Sequence, residues 1–240
     1  MSMSSFTPVA GISLEQVIAF QVKAMMGAQY RRVMKAKEEK DVIVACLRIA
    51  WNDAFRRVSK NQENISINDT EREKICIQIL ESDTVYGAFI EYAGKETTEK
   101  KAECIEQLIT QEGRAFLKEF ETLKVIDPEV SGKSLCFGHF QKLFNMALKL
   151  YLCLYACQKN GLLPDLEAGL GKEITEAMLQ NADCPIDSII LGKLDTPFKK
   201  LTWSKIGKNS TTQNYINAQN EIQKRCNNSN KLNFDFDNWN

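Results

Sequence analysis

The chain carries a single histidine, five prolines, twelve glycines and no net charge. With His139 as the only imidazole, any Ser-His or Cys-His nucleophile has one residue through which to run. A metal site built from the usual His and Cys ligands would have to lean on cysteine alone. Basic and acidic residues are equal at 31 each, so no global positive field draws the chain onto nucleic acid or anionic lipid. No window approaches the roughly 18 consecutive apolar residues that a membrane span requires. The Gly-x-Gly-x-x-Gly and Gly-x(4)-Gly-Lys-Ser/Thr patterns are also missing, which removes the Rossmann and P-loop phosphate sites. Met1 to Gly11 shows no basic region followed by an apolar stretch, so a cytoplasmic protein without a membrane partner is expected.

What is present suits a packed helical protein. Hydrophobic residues make up 44% and charged residues 26% of 240 positions, enough for a sizeable core. The eight cysteines lie mostly among apolar neighbours and include no Cys-x-x-Cys pair, which suggests buried, reduced thiols. Cys153 and Cys157, one helical turn apart, form the closest pair, too little for a metal site; no metal and no cofactor is expected. Charge is distributed unevenly. Residues 1–130 hold 18 basic and 21 acidic groups, leaving 13 basic and 10 acidic for residues 131–240. A nucleic-acid face, if present, belongs to the second half.

Apolar positions recur at three- and four-residue spacing almost throughout, which predicts an all-α fold of about 8–10 helices. Ser13 with Gln16 forms a capping box ahead of a helix from Leu14 to about Ala36, and Asp41 opens a second that reaches about Lys60. Thr70 with Glu73 caps a short one. Val85 to Tyr92 is read as helix, though its length also allows a strand. Thr98 to about Lys124 is a long amphipathic stretch that Gly113 would bend. Phe137 to Lys159 is the most apolar helix and the expected centre. Gly161 to Lys172 reads as a loop before a helix over 173–180, and Pro185 starts another at about Ile186. A last helix spans about 211–226, and the Asn-rich tail is loose or docked by Phe234, Phe236 and Trp239. The chain is treated as one unit with two lobes, 12–125 and 126–226, around a cleft, followed by the 227–240 tail.

Two segments set a reactive group beside a helix start, where backbone amides bind phosphate and helix partial charge acts on ionisable groups. One is Gly138-His139-Phe140-Gln141-Lys142, in which a glycine at the helix entrance allows close approach and a lysine follows four residues later. The other is Pro185-Ile186-Asp187-Ser188, in which a proline at the helix start puts Asp187 in the first turn. Together they resemble the helix-hairpin-helix DNA base-excision glycosylases, whose bifunctional members carry Gly-x-Gly-x-Lys in the hairpin and a catalytic aspartate after a proline. Gln141-Lys142 running directly into a long apolar helix is similar to the archaeal 8-oxoguanine glycosylase type. The match covers Gly132 to Leu194. Phe140 replaces the second hairpin glycine, and the step of 45 positions from Lys142 to Asp187 is longer than the common members have.

The resemblance implies a DNA glycosylase, with abasic-site (AP) lyase activity, acting on DNA that bears a damaged or modified base. In it Lys142 is the Schiff-base nucleophile, its ammonium desolvated against Phe140 and Phe144, and Asp187 stabilises the oxocarbenium-like charge. Phe140, Gln141, Phe144 and Trp203 would line the base pocket, and Gly138, His139, Ser188 and Lys205 would meet the DNA backbone. A monomer is the working expectation. A competing class is a helical interaction protein without catalysis, for which the balanced charge argues; it expects Lys142 exposed and far from Asp187. A helical ribonuclease of the prokaryotic nucleotide-binding type ranks third, because no arginine precedes His139 at the required spacing.

Overall fold

The computed structural model describes residues 7–13, 15–17, 28–55, 74, 77–110, 136–163, 166–203, 206, 212–227 and 229–238. The fold is all-α. Among the described residues the helices are α1 (Ala28–Met34), α2 (Glu39–Phe55), α3 (Asp83–Ala93), α4 (Thr98–Ile109), α5 (Phe137–Lys159), α6 (Glu176–Gln180), α7 (Ser188–Lys193), a 3₁₀ turn (Phe198–Lys200), α8 (Gln213–Arg225) and α9 (Leu232–Asn238), with further helical residues at 15–17 and 77–81. No strand occurs among them; Val9 and Ile12 form an isolated bridge. No described helix is long and apolar enough to cross a membrane.

Helix α5 is the axis. It is buried almost continuously from Phe137 to Cys157, as a helix surrounded by others must be. Its main partner is α2, with α3 and α4 packing alongside, α8 against α4 and α9 against α7. One contiguous buried cluster runs from Val9 to Phe236, so residues from both expected lobes share a core. Short polar side chains define several helix starts: Ser82 accepts from Val85 N–H, Thr97 from Lys100 N–H and Thr175 from Met178 N–H. Each such cap contributes about 1 kcal/mol.

Several boundaries differ from the sequence expectation, each for a visible reason. The run 85–92 is helical, as preferred, inside α3. Helix α2 begins at Glu39, two residues before Asp41. The Glu39 carboxylate turns inward and accepts the Tyr151 hydroxyl and the backbone N–H groups of Gly171, Lys172, Glu173 and Ile174. Burial pushes its carboxyl upward, but the bonds from Tyr151 and from the Glu173, Ile174 and Lys172 amides outweigh it and leave it below the ordinary value. This anchoring explains why residues 171–174 bind a carboxylate instead of opening a helix, and why α6 starts only after Thr175. Gly171 has φ +97°, where a Cβ would lie 2.9 Å from Tyr155, so both conformation and space require glycine. The stretch starting at Thr98 ends at Ile109, and the one expected over 14–36 ends at Met34; Gly113 lies outside the described residues, as do Thr70, Leu14, residues 18–27 and the end of the 41–60 helix. The tail is docked: α9 buries Leu232, Phe234 and Phe236. Trp239 lies outside the described residues.

Candidate active site

Helix α5 carries a row of polar side chains through the core. Gln141, Lys142, Asn145 and Lys149 follow the three- and four-residue steps of one helix face, and all four are buried. Buried polar groups cost free energy unless each meets a partner, and the partners here come from residues distant in sequence, on helices as well as in the 183–187 segment.

Lys142 meets Asp187. Lys142 Nζ lies 3.5 Å from Asp187 Oδ2, with side chains 10% and 14% exposed. Two devices fix the carboxylate. Asp187 is the N-cap of α7, its Oδ1 accepting from Ile189 N–H at 2.8 Å and Ile190 N–H at 3.0 Å. This corrects the expectation of Asp187 inside the first turn: the helix starts at Ser188, because a capping aspartate keeps extended backbone while its side chain satisfies the free amides. The residue before it is tied to α5, since Gln141 Nε2 donates to Ile186 O at 2.7 Å and Ile186 N–H donates to Gln141 Oε1 at 3.0 Å. A second amide repeats the arrangement two residues earlier, where Gln219 Nε2 donates to Cys184 O and Cys184 N–H donates to Gln219 Oε1. Asp183 completes the anchoring by accepting from Thr98, Tyr215 and Lys231. The segment 183–187 is thus an extended strip held between side-chain amides from two helices.

Trp203 closes the other side of the lysine. Its ring centroid lies 5.2 Å from Lys142 Nζ, a cation–π distance, and 5.4 Å from the His139 ring, edge to face. His139 in turn stacks on Phe55, and its Nδ1 accepts from Cys136 N–H and lies 3.0 Å from Cys136 Sγ. Burial lowers the His139 pKa to about 4, so the ring is neutral at physiological pH.

The sequence-predicted residues therefore divide. Lys142, Asp187 and Trp203 come together, and Ser188 is exposed beside them. Phe140 and Phe144 are fully buried, Phe144 packing against Phe89, Tyr92 and Phe140; they carry the core and present no free face to a base. Gln141 is fully buried with its amide engaged, so it positions Ile186 instead of reading a base. Gly138 is the second residue of α5, buried, and not a turn before it; Cys136 is the residue that caps the helix. His139 is wedged between rings rather than turned to a DNA backbone. Lys205 and the segment preceding α5, where a hairpin would lie, fall outside the described residues.

A second buried pair escaped the sequence reading. Lys149 Nζ bonds Asp235 Oδ2 and lies 4.5 Å from the Phe236 ring centroid. Burial pushes the Asp235 carboxyl above its ordinary value against the pull of Lys149, and the charges of Asp187 and Lys142 also reach it. The two ion pairs thus form one electrostatic unit along α5. The signal was available in part: lysines at positions 142 and 149 of an otherwise apolar helix fall on one face. Asp235 carried none, since it lies in an Asn-rich tail.

Among the described residues no group of three or more His, Cys, Asp or Glu side chains could hold a metal ion. The Lys142–Asp187 contact is the opposite of what the interaction-protein reading expects. No family model, curated protein or solved structure matches the chain.

Proposed function

We propose that the protein is a DNA base-excision glycosylase with AP lyase activity, in which Lys142 is the nucleophile and Asp187 its acid-base partner. The observation that carries this reading is the meeting of Lys142 and Asp187 at 3.5 Å across 45 residues of chain, mostly shielded from water yet not sealed. A structural ion pair needs no such shielding and often loses free energy by it. A reactive amine, in contrast, gains from a carboxylate within reach and a low-dielectric surround.

A base turned out of the duplex, at a cost of a few kcal/mol, brings its sugar C1′ to Lys142. One Nζ proton passes to Asp187, the amine lone pair forms the Nζ–C1′ bond, and the C1′–N bond to the base breaks, its electrons leaving with the base. Before the bond is complete, positive charge develops on the sugar ring; Asp187 passes the proton it has gained to the departing base and, as the carboxylate thus restored, stabilises that charge. Ring opening then gives a Schiff base, from which elimination nicks the strand. Trp203, half-buried over Lys142, is the aromatic face on which the turned-out base would stack.

Borohydride trapping tests this. Wild-type protein and Lys142→Gln are incubated with duplexes bearing a natural abasic site or a panel of damaged and modified bases, and covalent protein–DNA complexes are sought. A complex formed by the wild type and lost in the variant is expected, and the lesion trapped names the substrate. No complex and no base release on any of these duplexes overturns the reading.

A further inference from the structure

Asn145 continues the polar face of α5 one turn beyond Gln141 and Lys142. It is fully buried, as are Tyr92 on α3, Tyr215 on α8 and Asp183, and the four form one chain of hydrogen bonds. Tyr215 donates to Asp183 Oδ2 at 2.8 Å, Asn145 Nδ2 donates to the Tyr215 oxygen at 3.0 Å, and Tyr92 donates to Asn145 Oδ1 at 2.7 Å. The direction is forced from the Asp183 end. A carboxylate only accepts, so Tyr215 gives it its single proton; the Tyr215 oxygen then accepts from the amide, whose carbonyl takes the proton of Tyr92. Burial, with the Asp183 charge, pushes both phenols well above their ordinary range and keeps them protonated. The other Asp183 oxygen accepts from Thr98 at 2.8 Å and lies 2.5 Å from Lys231 Nζ, which neutralises the charge in place.

The contacts run in opposite orders along the two segments they join. Gln141 holds Ile186, Lys142 meets Asp187, and Asn145 reaches Asp183 through Tyr215, so the 183–187 strip lies antiparallel to α5. Two ties to α5 fix its register, the Gln141 amide near one end and the Tyr215 hydroxyl at the other. Helix α8 acts as the splint, since it carries both Tyr215 and, one turn on, the Gln219 that clamps Cys184. Packing does not explain the hydroxyl. The Tyr215 ring already fills its place edge to face against Phe137, at 5.1 Å between centroids, and a phenylalanine would do so without the cost of burying an oxygen.

We propose that Tyr215 is a positioning residue for the Lys142–Asp187 pair: its hydroxyl, bridging Asn145 and Asp183, sets the register of the strip on α5 and with it the distance from carboxylate to amine. The kinetic consequence rests on the base-excision reading, whereas the placement of the strip does not.

Three variants of the full chain test this. Tyr215→Phe keeps the ring and removes the bridge. Asn145→Ala cuts the same tie from the α5 side, where Tyr92 can turn its proton to the Tyr215 oxygen 3.4 Å away. Tyr92→Phe is the control, since it strands the Asn145 carbonyl but leaves both bonds of the bridge in place. All three are expected to lower Tm by several degrees. In native-state hydrogen exchange the Cys184 and Ile186 amides, which Gln219 and Gln141 hold, exchange faster in the two bridge variants than their loss of global stability accounts for; in Tyr92→Phe they follow global stability. With protein in excess over an abasic-site duplex, borohydride trapping at saturation slows roughly tenfold in the bridge variants, the loss for about half an ångström if about 1 Å costs 100-fold. The protein concentration giving half the maximal rate stays at the wild-type value, and Tyr92→Phe keeps the wild-type rate. Exchange at the two amides that merely follows global stability in the bridge variants, or trapping by them at the rate of Tyr92→Phe, overturns the proposal. A wild type that never traps sinks the catalytic reading instead, and the exchange comparison still decides whether Tyr215 sets the strip.

Discussion

Replacing Gln141 by leucine should damage stability and site together, by amounts that follow from three hydrogen bonds. Gln141 is fully buried, donates to Gly138 O and Ile186 O and accepts from Ile186 N–H. Leucine is close in volume, so no large cavity forms, but Ile186 N–H and C=O lose their partners inside the protein. Each stranded group costs about 1–3 kcal/mol, and the added apolar burial offsets roughly 1 kcal/mol of that. A net loss of about 3 kcal/mol follows, which for a chain of this size lowers Tm by about 6–12 °C. Urea denaturation should show the loss as a shifted midpoint with an unchanged slope. The chemical consequence is larger than the thermal one, because Ile186 precedes Asp187 and sets its distance from Lys142. A displacement of about 1 Å costs on the order of 100-fold in rate, so borohydride trapping on abasic-site DNA should slow by that factor at a temperature where the variant remains folded. A Gln141→Leu protein within about 0.5 kcal/mol of wild type, trapping at the wild-type rate, would refute the claim that this amide positions the carboxylate.

Two further outcomes concern ionisation and packing. His139, held neutral by burial to a pKa of about 4 against 6.5 for the free side chain, makes the unfolded state bind more protons between these values. Stability therefore rises with pH across that window and is constant on its account below pH 4; the difference between wild type and His139→Phe should change by about 3 kcal/mol between pH 4 and 7 in denaturation titrations. Glu39→Gln puts an amide NH₂ where a carboxylate oxygen accepts backbone N–H groups from residues 171–174. It should cost about 2–3 kcal/mol and raise amide hydrogen exchange in that loop; an unchanged exchange pattern would show that the loop holds itself.

Much of the site was visible along the chain because its chemistry is tied to local signals. A lysine entering the most apolar helix and an aspartate after a proline mark helix starts that any reader of capping patterns can find. Trp203 stood out as an aromatic among basic residues. Other positions depend on what packs against them. Phe140 and Phe144 flank Lys142 in sequence, yet successive helix positions point in different directions and these two face inward. The Gln141 amide is taken by the backbone of Ile186, 45 residues away, and Asp187 caps its helix from outside the first turn.

Periodicity and composition determined the all-α class and the position of the central helix over 137–159, since amphipathic spacing and caps act within a few residues. Tertiary structure alone decided that Lys142 touches Asp187, that Gln141 and Gln219 clamp the strip between Asp183 and Asp187, that Glu39 gathers the 171–174 amides and that Asp235 returns from the tail to neutralise Lys149. These are demands of buried polar groups for partners, and a chain meets such demands with whatever the fold brings near, at no spacing that the sequence records.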